Sequence, residues 1–174
     1  MTVAEFLSNT TYFSNLSDGA IAELIARTEI MVLSNEEEVF AEGAPGDAWY
    51  LVISGEVVIT RASDSRPPHV LGSLEPGEGF GEMALLDDSP RMGAATAQGS
   101  TTLLRLPREA FAELMEANHP GTTRLLKAMA MVLSQRLREV TWILQDLVDE
   151  PAPSTPVDPN GPMGRMLQAM VALN

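Results

Sequence analysis

Gly77-Glu78-Gly79-Phe80-Gly81-Glu82-Met83-Ala84-Leu85-Leu86-Asp87-Asp88-Ser89-Pro90-Arg91-Met92-Gly93-Ala94-Ala95-Thr96-Ala97 is the densest signal in the chain, and the rest is best read outward from it. Small residues at its start let backbone come close to a ligand. Glu82 to Leu86 then read as one short helical turn. The N–H groups that open such a turn have no helical acceptors and suit an anion. Arg91, returning from the far side of the stretch, adds full charge and a bidentate fork that matches one phosphodiester. Glu82, an acceptor only when ionised, would take a hydrogen bond from a ribose 2′-hydroxyl. Together the two side chains imply a nucleotide carrying a phosphate and a free 2′-hydroxyl.

Around this stretch, from Glu29 to Leu106, the pattern is short apolar or alternating runs broken by Gly and Pro. Examples are Ile30-Met31-Val32-Leu33, Trp49 to Ile53, Val57-Val58-Ile59 and Leu103-Leu104-Arg105-Leu106. Runs of that length at intervals of roughly ten residues indicate a small β sandwich or barrel. Ser54-Gly55, between two such runs, reads as a tight hairpin turn.

The flanks are helical. Leu16, Ile21, Leu24 and Ile25 recur at helical spacing behind Ser17-Asp18, an N-cap followed by a first-turn acid. After Pro107 the pattern predicts a helix over Arg108 to Asn118 and a long one from Thr122 to Asp149. Leu126, Ala130, Leu133, Leu137, Val140, Leu144 and Leu147 alternate spacings of four and three, a heptad seam. Leu125, Met129, Val132 and Ile143 lie beside it. One flank is therefore expected on the β domain and the seam on a second copy, giving a homodimer through residues 122–149. Pro151 to Pro162 is too rich in proline and turn formers for regular structure and reads as a linker. Met166, Leu167, Met170 and Val171 then share one helical face in a tail, residues 163–174, that either folds back on its own domain or docks in a partner protein's groove. The expected organisation is a helical lead-in over 1–28, a β domain over 29–121, the long helix over 122–149, and linker plus tail over 150–174.

Composition narrows the function. With 174 residues and 45% hydrophobic content the chain can build one core with appended helix. Its formal charge of −13, from 11 basic and 24 acidic residues, repels a nucleic-acid backbone, so no DNA partner is expected. Absence of cysteine excludes disulfides, thiolate metal sites and thiol nucleophiles. His69 and His119, each beside proline, read as solvated loop residues, and two histidines make no metal centre. Neither a nucleophile–base pair nor a Gly-rich loop with lysine is present, so no enzyme is expected. The start MTVAEFLSNTTYF has no basic and apolar leader, and no run approaches a membrane span, which makes a cytoplasmic location the expectation.

Phe80-Gly81-Glu82-Met83-Ala84-Leu85 followed by Pro90-Arg91 resembles the phosphate-binding cassette of the cyclic nucleotide-binding domain family. Glu42-Gly43-Ala44-Pro45-Gly46-Asp47 with Trp49 to Val57 resembles that family's strand–turn–strand signature, and the helix from Thr122 its C-terminal helix. The likeness covers about Tyr12 to Asp149. It implies an α+β, mainly β, fold: a double-stranded β-helix or jelly-roll barrel, the β-roll, with helices at both ends. It also implies Glu82 on the ribose 2′-hydroxyl, Arg91 on the cyclic phosphate, and backbone of Gly81, Met83, Ala84 and Leu85 around that phosphate. The long helix would be a lid that moves on binding. Family members that prefer cGMP carry Thr or Ser just after the arginine; here Met92 and Gly93 stand there, which favours cAMP over cGMP. Thr141 falls where the family's dimers read the adenine edge, and Trp142 could stack on the base; the bland alternatives are a helix-surface threonine and a packing tryptophan. The resemblance carries two functions: a sensor that signals by protein contact through the long helix and tail, or a degenerate domain that binds no nucleotide and serves as a dimerisation or scaffold unit. After Asp149 no room for a helix-turn-helix is expected.

Overall fold

A computed structural model describes residues 2–63 and 67–149. The linker and tail expected over 150–174 lie outside the described residues. The chain divides into two units, Met1–Val132 and Leu133–Asn174.

The first unit begins with α1 (Val3–Ser8), which the apolar spacing does not announce. Its signal is Thr2 with Glu5 three residues on: the Thr2 hydroxyl accepts from the Glu5 N–H at 3.2 Å, and the Glu5 carboxylate accepts from the Thr2 N–H at 2.7 Å. This reciprocal pair satisfies donors that a six-residue helix would otherwise leave open. In α2 (Asp18–Ile25), Ser17 is the N-cap, its hydroxyl accepting from the Ala20 N–H at 3.3 Å. The two helices bury Leu7, Ile21 and Leu24.

Six strands follow, with one short helix among them: β1 (Glu29–Leu33), β2 (Glu38–Phe40), β3 (Ala48–Arg61), β4 (His69–Leu74), β5 (Gly79–Phe80), α3 (Glu82–Leu86) and β6 (Ala94–Pro107). All pairings are antiparallel. The hydrogen-bonded order is β1-β6-β3-β4, with β2 on β6 and β5 on β3. The mainly β architecture with flanking helices is as expected, but among the described residues the sheet does not close into a barrel. The two shortest strands, of three and two residues, are too brief to bridge β1 to β4, and each instead pairs with part of a long strand.

β3 and β6, each of 14 residues, are the frame. Their period-two alternation feeds two cores. Trp49 and Leu51, with Leu104 and Leu106, join Tyr12, Phe13, Ile21, Leu24, Phe111, Leu125 and Met129. Tyr50 and Val52, with Leu103, Ala95 and Ala97, join Phe80 and Leu33. The aromatic centre of the first core is Trp49, whose ring meets Tyr12 edge-on at 5.0 Å and Phe13 at 6.0 Å.

Ser54-Gly55 is not a hairpin turn. β3 continues through it, and the pairing to β6 shifts register between Val52 and Ser54 and again between Ser54 and Glu56. A glycine at positive φ serves a bulge as well as a turn, and here Gly55 has φ 83°. Buried Thr101 stitches the irregularity, its hydroxyl donating to the Glu56 carbonyl at 3.1 Å. A Cβ on Gly55 would come within 2.5 Å of that hydroxyl oxygen. Gly55→Ala is therefore expected to cost roughly 1–3 kcal/mol of stability, read as a lower urea midpoint at unchanged slope.

α4 (Arg108–Glu116) and α5 (Pro120–Asp149) close the order. His119, expected in solvent, is instead only 5% exposed. Asn118 reverses the chain at φ 53°, and the His119 ring tucks under the start of α5, where its Nδ1 accepts from the Gly121 N–H at 3.1 Å. His69 is exposed, but as the first residue of β4 rather than in a turn. Within the first unit α5 buries Leu125, Ala128 and Met129 in the core built on Trp49. In the second unit its seam residues Leu137, Val140 and Leu144 are exposed, Leu137 by 68%.

Candidate functional site

The cassette is built by a strand end, a reversal and a return. β5 pairs with β3, Phe80 opposite Tyr50, and so fixes where the chain enters. Gly81 then takes the left-handed conformation, φ 82°, as the N-cap of α3 without any side-chain cap bond. A Cβ there would stand 2.6 Å from a terminal nitrogen of Arg91, so the position needs glycine on two counts. After α3 the chain turns back through Asp88, at φ 59°, to Arg91.

Arg91 joins the two stretches singled out in the sequence. Its backbone N–H donates to the Ala44 carbonyl and its carbonyl accepts from the Gly43 N–H, both at 2.9 Å. The side chain runs inward, leaving the residue 4% exposed. Nη1 donates to the Gly81 carbonyl at 2.9 Å, and Nη2 to the Ala48 carbonyl at 2.8 Å and to Asp47 Oδ1 at 3.1 Å. Nε is buried and has no hydrogen-bond partner among the described residues. An unused buried N–H on a cation is costly and invites an acceptor.

Of the other expected site residues, Phe80, Glu82, Ala84 and Leu85 are buried with Arg91 in the same cassette, Glu82 being 3% exposed. Gly93 is buried on the return, while Met83 and Met92 reach the surface. Thr141 and Trp142 belong to the second unit. The Thr141 hydroxyl donates within its own helix to the Leu137 carbonyl at 2.8 Å, and Trp142 is 65% exposed.

Two charged residues were not among those expected. Asp47 bridges Arg91 and Arg105, accepting from Arg105 Nη2 at 2.8 Å, and Arg105 continues to Glu29 at 2.8 Å. The sequence offered Asp47 only as the last letter of a turn motif; its partners lie 44 and 58 residues away. Arg108, the first residue of α4, donates to the Gly46 carbonyl at 2.7 Å and also to the Ala84 carbonyl and Asp88. It ties the end of the cassette turn to the helix that follows β6.

Partial burial by itself would raise the Asp47 pKa, but the hydrogen bond and charge of Arg105, and then the hydrogen bond from Arg91, outweigh it and leave the carboxyl below its ordinary value of 3.8. Burial likewise raises the Tyr50 hydroxyl. A depressed carboxylate contributes stability above its unfolded pKa and loses that contribution as pH falls through the folded one. The melting temperature should therefore fall as pH drops below about 4, and Asp47→Asn should flatten part of that acid limb.

A cavity of about 330 Å3 lies elsewhere, lined by Glu23, Arg27, Glu113, Leu114, His119 and Pro120 among others, with no cassette residue in its wall. What marks the cassette is the buried charge of Glu82 and Arg91.

The fold and site thus amount to a bulged antiparallel β frame carrying a short helix and an inward arginine. The cyclic nucleotide-binding domain family matches residues 30–118, and the chain belongs to it. It is similar to the CRP-like cAMP-activated global transcriptional regulator of Mycobacterium tuberculosis, 31% identical over 83% of this chain and 62% of that protein. It is similar also to the cAMP-dependent protein kinase regulatory subunit of Dictyostelium discoideum, 32% identical over 63% of this chain and 35% of that protein. Among solved structures it resembles the N-terminal domain of a transcriptional regulator from Streptomyces coelicolor, with TM-score 0.64, 32% identity, and coverage of 78% of this chain and 94% of that one. The chain thus spans less than two thirds of the two full-length relatives.

Proposed function

We propose that the chain is a cyclic mononucleotide sensor whose ligand is cAMP. The observation that carries this reading is the buried Arg91 whose Nε–H has no partner among the described residues, held in the same cassette as buried Glu82. Arg91 Nε would donate to a phosphate oxygen, the opening N–H groups of α3 would face the same phosphate, and Glu82 would accept from the ribose 2′-hydroxyl. The absence of a hydroxyl at Met92 and Gly93 supports cAMP over cGMP, as do the cAMP named for the mycobacterial regulator and for the kinase subunit.

The output is a protein contact. In this reading the β-roll over 29–121 holds the nucleotide, and the helix over 122–149 serves as lid and homodimer seam, supported by the exposure of Leu137, Val140 and Leu144. Binding shifts the position of the helix by no more than the ligand's differential affinity for its two states. The spacing of Met166, Leu167, Met170 and Val171 in the sequence, outside the described residues, supports 163–174 as the stretch that meets a partner protein. The acidic balance of the chain weighs against nucleic acid as the partner. No helix among the described residues is long and apolar enough to cross a membrane, and a cytoplasmic location fits a cyclic-nucleotide sensor.

A second reading, a scaffold or dimerisation unit that binds no nucleotide, is favoured by one observation: the terminal nitrogens of Arg91 already have protein acceptors. Calorimetry with cAMP and cGMP separates the two. The sensor gives heat with cAMP at micromolar concentration and weaker binding of cGMP; no heat at millimolar cAMP selects the scaffold.

A further inference from the structure

We propose that Phe40, stacked on the Arg91 guanidinium, is a positioning residue that aims the unused Nε–H at the nucleotide phosphate. The inference rests on the reading of Arg91 as the phosphate ligand. The Arg91 Cζ lies 4.2 Å from the centroid of the Phe40 ring and 5.7 Å from that of Tyr50. The hydrogen bonds to Gly81, Ala48 and Asp47 anchor both terminal nitrogens, but they resist least a tilt about the line through those nitrogens, which would swing Nε. A ring face at 4.2 Å opposes it and attracts the cation as well.

Phe40 can act as a fixed wall because it is itself held. It sits half-buried on β2 opposite Ala95, a side chain small enough to leave room for the ring. Its ring touches Phe80 at 5.9 Å and Tyr50 at 5.7 Å, and Tyr50 and Phe80 stack on each other at 5.2 Å. Phe80 is the residue directly before Gly81, whose carbonyl takes an Arg91 N–H. One aromatic group therefore braces both the cassette entrance and the face of its cation.

The test uses the full 174-residue chain, labelled with 15N. The Arg91 Nε–H resonance is assigned by its disappearance in Arg91→Lys. In wild type it is expected to be displaced upfield by the ring and slow to exchange with water. Phe40→Leu should return it toward the position of exposed arginines and weaken cAMP binding by about tenfold in calorimetry, whereas Phe40→Tyr, which keeps the ring, should stay within about twofold of wild type. Urea midpoints verify that each variant is folded under the conditions used. An unchanged Nε–H signal in Phe40→Leu, an unchanged affinity, or an equal loss in Phe40→Leu and Phe40→Tyr would each overturn the proposal. If wild type takes up no cAMP, the sensor reading fails, and the Nε–H signal still decides whether the ring holds the guanidinium.

Discussion

Arg91→Ala is expected to weaken cAMP binding by more than about a hundredfold and to lower the unfolding free energy by roughly 2–4 kcal/mol. The two losses have separate causes. Binding fails because the phosphate loses a charge-assisted donor in a buried setting, the kind of contact whose truncation costs several kcal/mol. Stability falls because the Gly81 and Ala48 carbonyls lose their Arg91 donor, and the space beside the Phe40 and Tyr50 rings empties. Asp47 limits the damage, since it is about half exposed and keeps Arg105. Arg91→Lys distinguishes the contributions. It retains the charge without the planar fork, so it should recover part of the affinity while leaving at least one of the two carbonyls without its donor. Calorimetry at a temperature where each variant is folded, beside urea unfolding, measures both.

The second large effect is on the sugar. Wild type is expected to bind 2′-deoxy-cAMP about 10- to 100-fold more weakly than cAMP, because the deoxy ligand cannot donate the hydrogen bond that the 2′-hydroxyl would give to the Glu82 carboxylate. Glu82 is 3% exposed and stands in the first turn of α3, so water cannot readily replace the missing hydroxyl. In Glu82→Ala the preference between the two nucleotides should shrink to about twofold or less while overall affinity falls. A preference that survives in Glu82→Ala would assign the 2′-hydroxyl to another group. Competition of both nucleotides against one fluorescent cAMP analogue measures the ratio in each protein.

Legibility in the sequence followed the distance over which each interaction acts. The cassette could be read because its reversal, short helix and returning arginine lie within 21 consecutive residues, Gly77 to Ala97. The cap on α2 was equally local: Ser17 serves a donor three residues away. The cap on α1 is as short-range, but Thr2 and Glu5 stand at a run too brief to show a period. A positive-φ glycine between two apolar runs, such as Gly55, suits both a turn and a bulge; only the pairing of β3 with β6, seen in the Thr101 bond to Glu56 across 45 residues, distinguishes them. The proline beside His119 suggests a solvated loop, yet its ring is buried and accepts from the Gly121 N–H at the start of α5. Asp47, Arg108 and Phe40 escaped for the same reason. Each acts on the cassette across the fold, through Arg91 at 44 residues' separation for Asp47 and through Ala84 at 24 for Arg108.

A crystal structure of the chain grown with cAMP tests the central claim most directly. The account predicts the nucleotide in the cassette, with Arg91 Nε within hydrogen-bonding distance of a phosphate oxygen and the Glu82 carboxylate on the 2′-hydroxyl. A nucleotide bound away from the cassette, for example in the cavity beside His119 and Glu23, or an Arg91 whose donors still meet only Gly81, Ala48 and Asp47 with cAMP bound, would contradict it.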